Sequence, residues 1–264
     1  MNSPYNYIEE YLYEIQAKGR YALTLTELLD RFDSSEKAIK QSIYRLKRKN
    51  RIAHVRKEFY VVVPPQYSKR GMIPHTLFID DLMKYLKRDY YVGCLSAAAL
   101  HGAAHQQPME FQVMTGKPPM RCIKNKKLNV RFFVKSSWQP VDIELKKTET
   151  GYLNVSTPAH TAFDLVHYSK SIGGLNRILP VLEELAEGIR PSDLNRTAAH
   201  QKVSDLQRLG YLFERLGNVT LAAMLFKSIQ GANLRAIPLS LSHKASAGKP
   251  DFKWKVIVNT SLDF

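Results

Sequence analysis

The chain has 264 residues, 44% of them hydrophobic, with 39 Lys and Arg against 24 Asp and Glu for a formal net charge of +15. That is a globular composition with enough length for about two domains, and the charge favours an anionic partner. No run approaches the roughly 20 apolar residues of a membrane helix, and two cysteines, Cys94 and Cys122, are too few for a metal cluster or a disulfide framework.

Glu9, Glu10 and Glu14 near the N-terminus, with no apolar run, exclude a signal peptide, so a reducing cytoplasm is expected. Residues 5–17 predict a helix with Ile8, Leu12 and Ile15 on one face, ended by Gly19. Leu23 and Leu25 suggest a short strand, and Thr26 precedes a short helix through Phe32. Asp33-Ser34-Ser35 is a turn, and Ser34 or Ser35 caps a helix running to about Lys49, with Asn50 as its stop. Two strands, Arg51 to Val55 and Glu58 to Val63, follow with Arg56-Lys57 at their tip, and Pro64-Pro65 closes the unit. Helix, short helix, turn, helix and hairpin is the order of a winged helix-turn-helix over residues 1–70, whose second paired helix enters a major groove.

Between Lys37 and Lys57 there are nine Lys or Arg and no acid. Ile39, Ile43 and Leu46 recur at helical spacing, which pushes the cations onto the other faces. Ser35, Lys37, Gln41, Ser42 and Arg45 are candidates for base edges, because Gln and Arg can make bidentate pairs there. Lys40, Tyr44, Arg48, Lys49, Arg56 and Lys57 are candidates for phosphate contact, with Tyr44 equally suited to the core.

Beyond a linker to about Pro74, residues 76–264 predict a larger mixed α/β domain in an α+β chain. Helices are expected at 76–89 and 95–102, and strands at 110–114, 129–134, 141–145 and 152–155, giving a small mixed sheet within 90–155. A helical part spans 157–230: Thr157-Pro158 opens a helix, and others are expected at 175–187, 192–199, 202–215 and 219–229. The tail, 231–264, holds one further strand at Trp254–Val258. A second basic run from Lys117 to Lys135 has seven Lys or Arg and no acid; Lys117, Arg121, Lys124, Lys126, Lys127 and Arg131 make it a second basic surface, a nucleic-acid or antitoxin face, or a solvated loop.

A transferase reading competes. Glu110 on one strand and Asp142 with Glu144 on a later one suggest carboxylates for a divalent ion. Glu110 has only Gln112 as its same-face neighbour, and Lys146 and Lys147 stand ready to pair with the other two. His101 and His105 lack the glutamate of a metalloprotease motif, so neither metal nor cofactor is expected. His160 and Asp164, four apart on the helix after Pro158, share a face, for local polar packing or an antitoxic role.

The order of these segments resembles the AbiEi family, antitoxins of type IV abortive-infection toxin–antitoxin systems. The resemblance rests on Leu25–Val63, on Tyr91-Val92-Gly93 with Ser96-Ala97-Ala98-Ala99-Leu100-His101-Gly102, on Arg131-Phe132-Phe133, and on the stretch from Val155 to Leu165. It implies a repressor of its own operon that binds repeated promoter sites in double-stranded DNA; an inverted-repeat site would suggest a symmetric dimer or two monomers binding cooperatively. It also implies that the chain opposes a nucleotidyltransferase-like toxin without a stable complex, through the region from about residue 76. A DNA-binding regulator with no toxin partner is the remaining alternative.

Overall fold

The computed structural model describes residues 4–103, 108–244 and 248–263. It opens with helix α1 (Pro4–Ala17), strand β1 (Ala22–Thr24), helices α2 (Leu25–Arg31) and α3 (Glu36–Arg48), and the hairpin of β2 (Ile52–Arg56) and β3 (Phe59–Val62). The three strands form a sheet in the order β1-β3-β2, with both pairings antiparallel. Ile8, Leu12 and Ile15 of α1 meet Leu28, Ile39, Ile43, Leu46 and Val62 in one core. This N-terminal unit is a winged helix-turn-helix.

The cap of α2 is Thr24, and Thr26 lies inside the helix it was expected to precede: the Thr24 hydroxyl accepts from the Glu27 amide at 3.1 Å, and the Glu27 carboxylate accepts from the Thr24 amide at 3.4 Å. This reciprocal box starts the helix two residues earlier than expected and leaves Leu25 inside it. Ser35 caps α3, and Asn50 (φ +52°) adopts the left-handed turn that stops it.

Helix α4 (Ile79–Tyr85) is shorter than expected, because residues 75–77 make a separate 3₁₀ turn. Strand β4 (Tyr90–Val92), helix α5 (Cys94–Leu100), and strands β5 (Phe111–Thr115), β6 (Ile123–Lys124), β7 (Asn129–Val134), β8 (Ile143–Thr148) and β9 (Gly151–Ser156) follow. They build a mixed six-stranded sheet in the order β6-β7-β5-β4-β9-β8. The chain then becomes helical: α6 (Pro158–His167), α7 (Leu175–Glu187), α8 (Pro191–Ala198), α9 (Val203–Arg215) and α10 (Val219–Ile229). The tail adds β10 (Ile237–Pro238), β11 (Lys249–Asp251) and β12 (Val256–Val258), a small sheet in the order β10-β12-β11. Among the described residues no helix is long and apolar enough to cross a membrane.

The compact units are not consecutive stretches. One takes residues up to 90 together with 115–134 and 145–154; the other takes 91–114, 135–144 and everything from 155. Within the first, the basic segment from Lys117 folds onto the winged helix: Lys127 Nζ donates to Asn50 Oδ1 at 3.1 Å, and Arg88 donates to the Gly116 and Pro118 carbonyls. Within the second, the tail is fixed to α9. The Gln207 side-chain amide donates to the Trp254 carbonyl at 2.8 Å, and Arg208 Nε to the Pro238 carbonyl at 3.0 Å.

Candidate nucleic-acid interface

Helix α3 is amphipathic. Its Ser35 hydroxyl accepts from the Ala38 amide at 3.3 Å, which sets the first turn, and Ile39, Ser42, Ile43 and Leu46 are buried in the winged-helix core. Lys37, Lys40, Gln41, Tyr44, Arg45, Lys47, Arg48 and Lys49 are exposed. Tyr44, at 61% exposure, lies on the outside with them and not in the core. Ser42 is a correction: at 4% exposure it belongs to the buried stripe and cannot reach a base edge. Lys40 lies 2.5 Å from the Glu36 carboxylate one turn earlier, and that hydrogen bond and charge raise the ammonium's pKa. Glu36, Lys37, Lys40, Gln41 and Tyr44 line an open hollow on this face.

At the C-terminal end of α3 a second groove of about 360 Å³ is lined by Lys47, Asn50 and His54 on one side and by Asn125, Lys126 and Lys127 on the other. Burial, reinforced by the nearby Lys47 charge, pushes the His54 imidazole below its usual pKa. Lys117, Arg121, Lys124, Lys126 and Lys127 are all exposed, whereas Arg131 is half-buried with its guanidinium 4.8 Å from the centre of the Phe133 ring. On the wing, the Lys57 side chain is 90% exposed. Beside it, the half-buried Arg56 donates from its guanidinium to the Arg121 carbonyl at 3.4 Å.

The second unit holds a polar cluster that helical spacing showed only in part. Lys135 Nζ lies 2.6 Å from Asp164 Oδ1 and 2.8 Å from His160 Nε2, and the Tyr91 hydroxyl donates to Asp164 Oδ2 at 2.9 Å. Asp164 and His160 are fully buried. Burial raises the Tyr91 phenol well above its ordinary pKa, and the adjacent Asp164 charge and hydrogen bond add to this. On its other side, His160 Nδ1 stands 3.4 Å from Asp142 Oδ2, which also accepts from the Gln139 amide at 3.2 Å. Burial pushes the Asp142 carboxyl up, but the His160 hydrogen bond and charge and the Gln139 amide outweigh it and leave the pKa lowered. Lys135 therefore ends the basic run in sequence but points inward.

These contacts correct the transferase reading. Asp142 sits in a 3₁₀ turn, not on a strand, and is committed to His160. Glu144, on β8, lies 3.7 Å from His101 Nδ1. The two carboxylates share no strand face, and no group of three or more His, Cys, Asp or Glu able to hold a metal occurs among the described residues. His105 lies outside the described residues.

The chain thus combines a winged helix-turn-helix whose second paired helix is cationic, a mixed sheet and a helical C-terminal part. Residues 91–215 match the model of the AbiEi antitoxin C-terminal domain, so the chain carries an AbiEi-family antitoxin domain. That match supports a general antitoxin role in a system of the type IV kind. Among solved structures it is similar to the RV2827C protein from Mycobacterium tuberculosis, at 14% identity with a TM-score of 0.67, over 96% of this chain and 91% of that one. At that identity the likeness concerns the fold. No curated protein matches the chain.

Proposed function

We propose that the chain is an antitoxin that also represses its own operon, binding promoter DNA through α3 and the wing, while the region from about residue 76 opposes a nucleotidyltransferase-like toxin. The observation that carries the DNA half is the exposed face of α3: Lys37, Lys40, Gln41, Tyr44, Arg45 and Arg48 reach solvent while Ile39, Ser42, Ile43 and Leu46 anchor the helix. A helix held on one side and cationic on the other suits a phosphate-lined groove, with Gln41 and Arg45 placed to read bases. Lys126 and Lys127 extend the same cationic surface beyond the end of α3.

The antitoxin half is supported by the family of residues 91–215. The full chain is titrated against its own promoter duplex and against a scrambled duplex at several salt concentrations. Sequence-dependent binding that weakens steeply with salt supports the reading; equal binding to both duplexes overturns it. Co-expression with the product of the neighbouring gene, scored by colony survival, tests the antitoxin half and separates it from a regulator with no toxin partner.

A further inference from the structure

Three successive residues at the tip of the wing are each tied to a different element of the same unit. Arg56 reaches the Arg121 carbonyl at 3.4 Å. The Lys57 carbonyl accepts from the Tyr85 hydroxyl of α4 at 3.4 Å. The Glu58 carbonyl accepts from the Leu25 amide at the start of α2 at 2.9 Å. Glu58 itself turns the corner in the left-handed region, at φ +59°. The Tyr85 ring also packs on Phe59, the first residue of the returning strand, with centroids 5.4 Å apart.

An isolated two-stranded hairpin is marginally stable in water, and an exposed lysine at its tip would sweep a wide volume. Here the backbone that carries the Lys57 ammonium is pinned from three sides while the side chain stays 90% exposed, with the Glu58 carboxylate 3.8 Å from the ammonium. The geometry points to Tyr85 as a positioning residue for DNA recognition: it touches no nucleic acid, and fixes where Lys57 meets a backbone phosphate beside the groove that α3 enters. Ordering that is completed in the free protein is not lost again on binding. This inference rests on the DNA-binding reading above.

The test compares the full chain with Lys57→Ala, Tyr85→Leu, Tyr85→Phe and the double variant Lys57→Ala with Tyr85→Leu, on the promoter duplex. Removing Lys57 is expected to weaken binding about threefold to tenfold and to lower the salt slope by about 1, one phosphate contact. Tyr85→Leu produces the same change in slope and the same lost patch in a hydroxyl-radical footprint. The double variant is no weaker than either single one, and Tyr85→Phe, which keeps the ring on Phe59, recovers part of the loss. Thermal unfolding of each variant by circular dichroism accompanies the titrations, and the salt slope separates lost positioning from lost folded fraction.

Wild-type binding by Tyr85→Leu, or strictly additive losses in the double variant, overturns the inference. If Lys57→Ala binds normally while Arg45→Ala with Arg48→Ala abolishes binding, the wing makes no contact; the inference fails and the recognition-helix reading stands. If the unmodified chain shows no preference for its promoter, both fall.

Discussion

Lys135 and Asp164 form a largely buried ion pair in the antitoxin domain, Nζ to Oδ1 at 2.6 Å, with the Asp164 side chain fully buried and Lys135 at 15% exposure. An aspartate in that position is tolerable only while the ammonium and the Tyr91 hydroxyl offset its desolvation. Lys135→Met is therefore expected to destabilise the chain by about 3–5 kcal/mol, because it strands a buried charge. Lys135→Met combined with Asp164→Asn should recover much of that loss. Urea unfolding followed by circular dichroism measures both.

Gly210 and Trp254 give a second, purely steric prediction. A Cβ at position 210 would run into the Trp254 indole, which is fully buried, and Gly210 lies inside α9. Ordinarily Gly→Ala within a helix stabilises by up to about 1 kcal/mol; here Gly210→Ala should instead cost about 1–3 kcal/mol through overpacking. The damage should fall on the tail, so limited proteolysis is expected to cut within 231–264 before the rest of the chain is lost.

Division of labour between the ends of the chain is tested by Arg45→Ala with Arg48→Ala. Both side chains are exposed, so stability should shift by no more than about 0.5 kcal/mol each. Promoter binding should fall by at least about tenfold, given one base-edge candidate and one phosphate candidate removed, while rescue from the toxin stays largely intact. Ser42→Ala, by contrast, should leave DNA affinity unchanged, since the hydroxyl is in the core. Fluorescence anisotropy and colony survival report the two halves.

His75 makes stability depend on pH. Burial, with a smaller contribution from the Arg70 charge, lowers its pKa from 6.5 to about 4. The unfolded chain therefore binds a proton that the folded chain refuses between those values, so stability rises with pH across that window. It is fully present above about pH 6.5 and is lost as pH falls to about 4, by an amount on the order of 3 kcal/mol. His75→Phe, which can stack on Phe78, should flatten that part of the pH–stability curve in urea titrations at pH 7, 5.5 and 4.5.

Local patterns reached a long way into this fold. The Ile39, Ile43 and Leu46 spacing placed α3 and its exposed cations, and the cap at Thr157 with Pro158 at the first helical position marked the start of α6. Ser42 was legible too: it stands three residues after Ile39 and four before Leu46, which is the same stripe, and only its polarity argued otherwise. What the chain order could not give was anything fixed by distant contacts. Tyr91 and Lys135 join His160 and Asp164 across 69 and 25 residues of sequence to His160, and neither carries a local signal for that meeting. The same holds for Arg56, whose partner is a backbone carbonyl 65 residues away, and for β10 and β11, strands of two and three residues defined by their pairing with β12.

The braced hairpin has a calorimetric consequence. A flexible loop that freezes on its target makes association enthalpy-rich and entropically costly, with a heat-capacity change larger than the contact area warrants. With Lys57 already held by Tyr85 at its carbonyl, the winged unit should behave as a rigid die: fast on-rates limited by charge steering, little temperature dependence of the register, and discrimination between operators governed by how the duplex bends to meet it.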